Sequence, residues 1–269
     1  MRFVSFDPFR TLHLRDVTYV KPEEFWAHRD LLRQASCLLY PAYWQIHALA
    51  YGLRARIFPS LASYHLGHDK VEMTRAFWMV CPDHVPRTLI LPNEPGAWDR
   101  AHDELRPPFV VKVVKSAQGA GVFRIESRAD WDTYAEDELL LYVQELIPAA
   151  RDLRLVVVGD DVIGGYWREH APGCFHNNVA RGARVVHGPI PAATIELVTR
   201  VAHQLGIDHA GFDRIELHGT FYLLELHRRF GYQGLTEQGI SLAPLLQRCL
   251  DRLLEPDRPR DGDPFARAS

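Results

Sequence analysis

Pro108-Phe109-Val110-Val111-Lys112-Val113-Val114-Lys115-Ser116-Ala117-Gln118-Gly119-Ala120-Gly121-Val122 is the stretch on which the reading of this chain turns. Phe109 to Val114 is an apolar run of strand character, broken by one lysine, Lys112. A small, glycine-rich loop follows, and a second strand-like run begins at Val122-Phe123-Arg124-Ile125. Side chains alternate faces along a strand, so Lys112 shares a face with Val110 and Val114. A buried ammonium is costly unless an anion compensates it. Glycines let backbone N–H groups come close to a ligand, and such concavities bind phosphate. One lysine and one loop can therefore grip the same polyphosphate. An edge strand with a solvated lysine and an ordinary turn fits the same residues.

Two common nucleotide motifs are excluded here. A P-loop needs Lys-Ser or Lys-Thr directly after its last glycine and then a helix, whereas Val122-Phe123 follow Gly121 in a strand-like run. The dinucleotide fingerprint lacks its third glycine and its helix start. Strand, glycine loop, strand is a lid hairpin, a different way of holding a nucleotide.

The chain has 269 residues, enough for one large or two to three small, closely packed domains. Hydrophobic content of 47% and charged content of 24% match an ordinary globular protein. A formal net charge of -3 gives no bulk attraction to nucleic acid or anionic lipid, no apolar run reaches membrane-span length, and MRFVSFDPFR lacks a signal peptide's apolar core. Cys37, Cys81, Cys174 and Cys249 form no Cys-x-x-Cys pair and read as free thiols in a reducing cytoplasm.

Residues 1–67 alternate strand and helix signals: strands at Arg2–Phe6, Ser36–Tyr40 and Ala55–Pro59, helices at Pro22–Ala35 and Trp44–Leu53. The dense aromatics there (Tyr19, Phe25, Trp26, Tyr40, Tyr43, Trp44, Tyr51) read as core, and His47 as a surface or satisfied histidine. Asp69 caps a helix over Lys70–Val80. Leu139–Ile147 is a long apolar strand, and the Gly159-Asp160-Asp161 turn joins two further strands, Leu155–Val158 and Val162–Trp167. Thr194–Leu205 is an amphipathic helix closed by Gly206, and Ile240–Leu254 a closing helix. The proline- and charge-rich residues 255–269 read as a mobile tail.

Gly211–Leu217 and Phe221–His227 are alternating strands linked by His218-Gly219-Thr220, which suits a three-residue hairpin loop. That register sets Leu217 opposite Phe221, Ile215 opposite Leu223, Asp213 opposite Glu225 and Gly211 opposite His227. Facing like charges are unfavourable, and a divalent cation between them removes the penalty. A register slip would instead leave two unrelated surface acids.

The glycine loop resembles that of the ATP-grasp superfamily, above all the RimK-type glutamate ligases, whose loop carries Lys-x-x-x-x-x-Gln-Gly-x-Gly-Val; Lys112 and Gln118-Gly119-Ala120-Gly121-Val122 fit it in place. Other segments resemble the family in the same order. Asp69-Lys70 and Val85-Pro86-Arg87-Thr88 resemble its Asp-Lys pair and Val-Pro-x-Thr turn, and Gln144-Glu145-Leu146-Ile147 its Gln-Glu-Tyr/Phe-Ile segment. Asp152 matches an acid that follows, after a shorter loop. Arg168 matches an arginine, and Gly173 with Phe175-His176-Asn177-Asn178 a Gly-x-Phe-Arg-x-Asn run in which His176 replaces the arginine. Phe212-Asp213 and Glu225-Leu226-His227 keep the twelve-residue spacing of the Val-Asp and Glu-Val-Asn metal ligands, with His227 replacing asparagine. Arg228-Arg229-Phe230-Gly231 resembles a Pro-Arg-Phe-Gly tail.

The resemblance covers roughly residues 69–254. It implies an α/β (α+β) chain of ATP-grasp fold: a small leading α/β domain over 1–67, then an ATP-grasp domain over 68–254 whose two α+β subdomains sandwich ATP. The implied activity is a Mg²⁺-dependent carboxylate–amine ligase that forms an amide through an acyl-phosphate, on small-molecule or peptide substrates. On the nucleotide side it implies Lys70, Lys112, Gln118, Gly119 and Gly121 at phosphates, Gln144, Glu145, Leu146 and Ile147 at adenine, Asp152 at ribose, and His176, Asn177 and Asn178 nearby. Arg168 would stabilise the transferring phosphoryl group, Arg229 would anchor a substrate anion, and Asp213, Glu225 and His227 would hold metal. Imidazole suits Mn²⁺ better than Mg²⁺. His227 and His176 also fit an alternative, a degenerate ATP-grasp protein that binds nucleotide without turnover.

Overall fold

The computed structural model describes residues 2–115, 121–169 and 183–255. Gln118, Gly119, His176, Asn177, Asn178 and Cys174 lie outside the described residues, as does the expected tail beyond residue 255.

The leading segment comprises β1 (Phe3–Ser5), α1 (Pro8–Thr11), β2 (Val17–Tyr19), α2 (Arg29–Gln34), β3 (Cys37–Leu39), β4 (Ile57–Phe58) and α3 (Leu61–Leu66). Its strands pair in parallel in the order β2-β1-β3-β4. The chain leaves β1 toward one side and returns to pair on the other, so the connections diverge between β1 and β3. The expected helix from Pro22 is a 3-10 segment, Pro22–His28, that gives way to α2. The aromatic reading needs correction. Phe25 and Tyr40 are buried, but Tyr19, Trp26, Trp44 and Tyr51 are exposed, since the aliphatic residues Val4, Leu38, Ile46 and Leu49 fill much of one face of the small sheet and Phe3, Leu39 and Phe58 pack on the other.

α4 (Lys70–Val80) starts where expected, with Asp69 Oδ1 accepting from the Val71 and Glu72 N–H groups at 2.9 and 3.2 Å. Next come β5 (Thr88–Pro92), α5 (Ala97–Leu105), β6 (Phe109–Lys112), β7 (Val122–Ile125), α6 (Arg128–Ala135) and β8 (Leu140–Glu145). Their strands form an antiparallel sheet, β5-β8-β6-β7, with its own core of Phe109, Val111, Ile125, Trp131, Leu141 and Val143. Lys112 therefore ends an interior strand; the edge-strand alternative does not hold. Sequence reading missed α5 and α6, although α6 opens on a capping box between Ser127 and Asp130.

The remaining elements are β9 (Arg151–Val158), β10 (Asp161–Glu169), β11 (Arg184–Val186), α7 (Ala192–Leu205), β12 (His209–Leu217), β13 (Thr220–His227), α8 (Gln233–Thr236) and α9 (Leu242–Leu253). The strands order as β11-β10-β9-β12-β13. One face, with Leu153, Leu155 and Phe212, packs on Met73 and Phe77 of α4 and on Val198 and Val201 of α7. The other face is divided along its length. Val156 and Val158 lie in one core with Phe3, Leu39 and Phe58 of the leading sheet and Leu246 and Leu250 of α9, while Asp152 and Arg154 continue the same face as charge.

The hairpin register is correct at the acids and wrong at the turn. Leu217 faces Thr220, not Phe221, and Ile215 faces Tyr222, not Leu223. The loop is two residues, His218-Gly219, both left-handed (φ 51° and 82°), as a type I′ turn requires. A bulge between Asp213 and Arg214 then leaves Leu224 as the extra residue and restores Asp213 opposite Glu225 and Gly211 opposite His227. Cys37, Cys81 and Cys249 are buried free thiols. Among the described residues no helix is long and apolar enough to cross a membrane.

Candidate active site

The β6–β8 sheet presents its lysine to the cleft through a built support. Lys112 is buried, and its Nζ donates to Gln144 Oε1 at 2.8 Å. Gln144 Nε2 donates to Thr88 Oγ1 (2.8 Å) and to the Tyr142 hydroxyl (3.2 Å), which in turn lies 2.7 Å from Thr74 Oγ1 on α4. Tyr134 OH donates to the Lys112 carbonyl. Every polar atom of the Gln144 side chain is thus engaged in holding the lysine, so the adenine contact expected of Gln144 does not fall to its side chain. Burial pushes the Lys112 pKa down to about 8; Lys70 pushes the same way, and Glu225 and Asp213 oppose it. Lys112 thus lies within electrostatic reach of Lys70, Glu225 and Asp213. Lys70, in the first turn of α4, sets its Nζ 3.3 Å from Glu225 Oε1.

Removing the support should be visible in stability. Gln144→Leu leaves a buried ammonium without its acceptor, a cost of about 1–3 kcal/mol. The loss should be larger below pH 8, where Lys112 is charged in the folded chain, than above it. Urea titrations at pH 7 and pH 9 check this.

The acidic side is a row across the second sheet: Tyr166 on β10, Arg154 on β9, Asp213 on β12 and Glu225 on β13 are successive register partners. Arg154 donates from Nε and Nη2 to the two Asp213 oxygens, both at 2.6 Å. Arg168 Nη2 lies 2.9 Å and His227 Nε2 3.1 Å from Asp213 Oδ2. Burial pushes the Asp213 pKa up, but Arg154, Arg168 and His227 outweigh it and hold the carboxyl well below the usual carboxylate range. Burial likewise raises and His227, Lys70 and Lys112 lower the Glu225 pKa, with a net shift down.

Arg168 and Asp152 form a buried ion pair. They face each other across β9 and β10, and Arg168 donates to both Asp152 oxygens at 2.7 and 2.6 Å. Asp152 is buried, with both oxygens engaged by Arg168. Arg168, also buried, sets its guanidinium against both Asp152 and Asp213. Arg154 was missed by the sequence reading. Its signal was there: Asp152 and Arg154 alternate in an otherwise apolar strand, so both point to one face.

Glu145 closes the β8 ladder. Its Oε1 accepts from the Arg87 N–H at 2.7 Å and its own N–H donates to the Arg87 carbonyl at 2.9 Å, which pins β8 to the turn before β5. Leu146 and Ile147 follow, half-buried, beyond the ladder. The Gly121 carbonyl accepts from the Val113 N–H at 2.7 Å and closes the base of the glycine loop. Arg229 is exposed and lines a separate cavity beside the leading segment.

The donors for a divalent cation are present in part. Asp213 and Glu225 face each other, and two carboxylates suit Mg²⁺, which keeps water and phosphate oxygens in its remaining positions. His227 Nε2 sits 3.8 Å from Glu225 Oε2, but among the described residues no group of three His, Cys, Asp or Glu side chains is arranged to hold a metal ion.

Residues 85–250 match the family described as the RimK-like ATP-grasp domain. A probable alpha-L-glutamate ligase of Citrobacter koseri is 29% identical over 157 residues, 56% of this chain and 52% of that protein. A ribosomal protein bS6–L-glutamate ligase of Escherichia coli is 30% identical over 152 residues, 54% of this chain and 51% of that protein. The chain thus spans about half the length of the curated relatives it matches. Among solved structures, a RimK domain ATP-grasp protein from Sphaerobacter thermophilus superposes with a TM-score of 0.71 at 17% identity, covering 93% of this chain and 99% of that one. D-alanine–D-alanine ligase from Bacillus anthracis gives a TM-score of 0.74 at 14% identity over 94% and 98% of the two chains.

Proposed function

The chain belongs to the RimK-like ATP-grasp family, and from that premise we propose that it is an ATP-dependent carboxylate–amine ligase that forms an amide through an acyl-phosphate. The observation that carries this reading is the gathering of two lysines with two acids: Lys70 Nζ lies 3.3 Å from Glu225 Oε1, Asp213 faces Glu225 across the hairpin, and Lys112 is within electrostatic reach of all three. Lys112, held by Gln144, and Lys70 grip phosphate oxygens. The end of β8, at Glu145, Leu146 and Ile147, offers backbone to the adenine edge. A substrate carboxylate attacks the γ-phosphorus, ADP leaves, and the mixed anhydride meets an amine that displaces phosphate. Mg²⁺, held by Asp213 and Glu225 with His227 alongside, would supply charge neutralisation on the phosphates. Arg154 and Arg168 keep Asp213 ionised and fixed in direction.

The experiment is Mg²⁺-dependent ADP release over a panel of amino acids and short peptides, with mass spectrometry for the amide. A second reading, nucleotide binding without turnover, draws support from Asp213, whose oxygens are already occupied by two guanidiniums and an imidazole. Tight ATP binding with no ADP release on any substrate would select it.

ATP affinity should depend on pH through Lys112. Its pKa in the folded chain lies near 8, below its ordinary 10.5, because of burial. Below pH 8 the ammonium is present to meet phosphate; above it, binding must take up a proton, so affinity falls by up to about tenfold per pH unit. Calorimetry in buffers of different ionisation enthalpy, at pH 7 and pH 9, reads both the affinity and the proton. A flat profile would contradict the assignment of Lys112 to phosphate.

A further inference from the structure

Beside the phosphate cleft, the leading sheet meets the end of β13 around a cavity of about 420 Å³. Its walls are mainly apolar, with Phe9, Tyr40, Phe230, Ile240, Leu242 and Leu246, but Arg10, His13, His209, Thr236 and Ser241 also line it. Arg10 and Tyr40 also line a second cavity of only about 10 Å³, with Arg228, Arg229, Tyr64 and Asp7. The two share Arg10 and Tyr40 in their linings. Among the described residues that line either cavity, Asp7 is the only carboxylate, and it is paired with Arg10 at 3.3 Å. Three guanidiniums thus share one carboxylate. Burial pulls the Arg228 pKa down; Tyr64 opposes that, and the neighbouring Arg229 and Arg10 add to it. Like charges crowd here without a full protein counterion.

The place in the fold is independent of the charge. Asp7 and Arg10 follow β1, and Tyr40 and Pro41 follow β3, so the crevice opens at the carboxyl ends of the two parallel strands between which the connections diverge. That is where open parallel sheets bind ligands. The other wall is Arg228-Arg229-Phe230, which begins one residue past His227 and so adjoins the acids of the cleft.

We infer that this junction is the site of the amine substrate, an α-amino acid whose carboxylate rests on Arg10, Arg228 and Arg229 and whose apolar side chain fills the 420 Å³ cavity. The amino group is then the one polar end left free to reach the acyl-phosphate. This deepens the ligase reading and rests on it; the anion site itself does not.

The test is calorimetric titration of the full chain with L-phenylalanine, L-phenylalaninamide, L-glutamate and inorganic phosphate, each alone, beside a separate ATP titration. L-Phenylalanine should bind, its amide at least tenfold more weakly and L-glutamate more weakly than L-phenylalanine. Arg10→Ala should lose at least tenfold in L-phenylalanine affinity and keep its ATP affinity. Arg229→Ala, at an exposed position, should show the same loss and serves if Arg10→Ala does not fold. Equal binding of acid and amide, unchanged affinity in both variants, or binding of phosphate and glutamate in preference to L-phenylalanine would each overturn the inference. Failure of the wild-type chain to bind ATP would instead strike the ligase reading and leave the anion result standing.

Discussion

Asp213→Asn is expected to lower turnover by about a thousandfold or more, while ATP affinity stays within a few-fold. In the proposed reaction the carboxylate helps balance charge on the transferring phosphoryl group, and a group acting mainly there changes kcat far more than nucleotide binding. The substitution also has a structural cost that must be kept apart from the catalytic one. Arg168 retains Asp152, but Arg154 loses the carboxylate that meets it at 2.6 Å on both nitrogens. Breaking a buried pair by removing one partner costs about 3–5 kcal/mol. The double variant Asp213→Asn/Arg154→Leu removes the orphaned guanidinium and should recover much of that stability. Turnover should not return with it. Urea denaturation and ADP release, measured on both variants, separate the two effects; recovery of turnover in the double variant would make Asp213 a structural residue and nothing more.

What could be read from the chain in advance was local. The lid hairpin follows from an apolar run, a lysine and two glycines within one stretch, and β6 and β7 begin and end within a residue or two of it. Asp69 capping Lys70–Val80 is equally local. The acid pair was placed correctly although the turn was not, because the bulge at Leu224 undoes the one-residue error at Thr220. Alternation fixes which face an acid takes, not where a ladder slips. The lost information is long-range. Arg154 and Asp213 lie 59 positions apart and Lys112 and Gln144 lie 32 apart, and nothing in either neighbourhood names its partner. A buried ion pair looks the same in sequence as a pair of ligands waiting for substrate, and the pairing of Asp152 with Arg168 is not legible in either neighbourhood. The exposed Trp26 and Trp44 mark the same limit from the other side: hydrophobicity says what is costly to expose, and packing decides what is exposed.

Lys112→Ala is expected to weaken ATP binding about a hundredfold at pH 7, since a hydrogen bond to a charged group contributes roughly 1.5–3 kcal/mol and the ammonium here is already desolvated before the ligand arrives. Because the cost of burying the lysine is met in the free protein, little of the interaction with phosphate is lost to desolvation on binding. Gln144 keeps the side chain in place, so little is lost to ordering either. The same alanine should stabilise the free protein below pH 8. The folded lysine has a pKa lowered to about 8 from 10.5, so the unfolded chain binds more protons between those values, and wild-type stability rises with pH across that window. Removing the lysine removes that penalty and that slope. An affinity loss joined to a stability gain is the signature of a residue held in an unfavourable setting for the sake of a ligand. If instead Lys112→Ala left ATP affinity unchanged and lowered stability, the lysine would be serving Gln144 and Tyr142 as a packing element, and the phosphate grip would have to come from Lys70 alone.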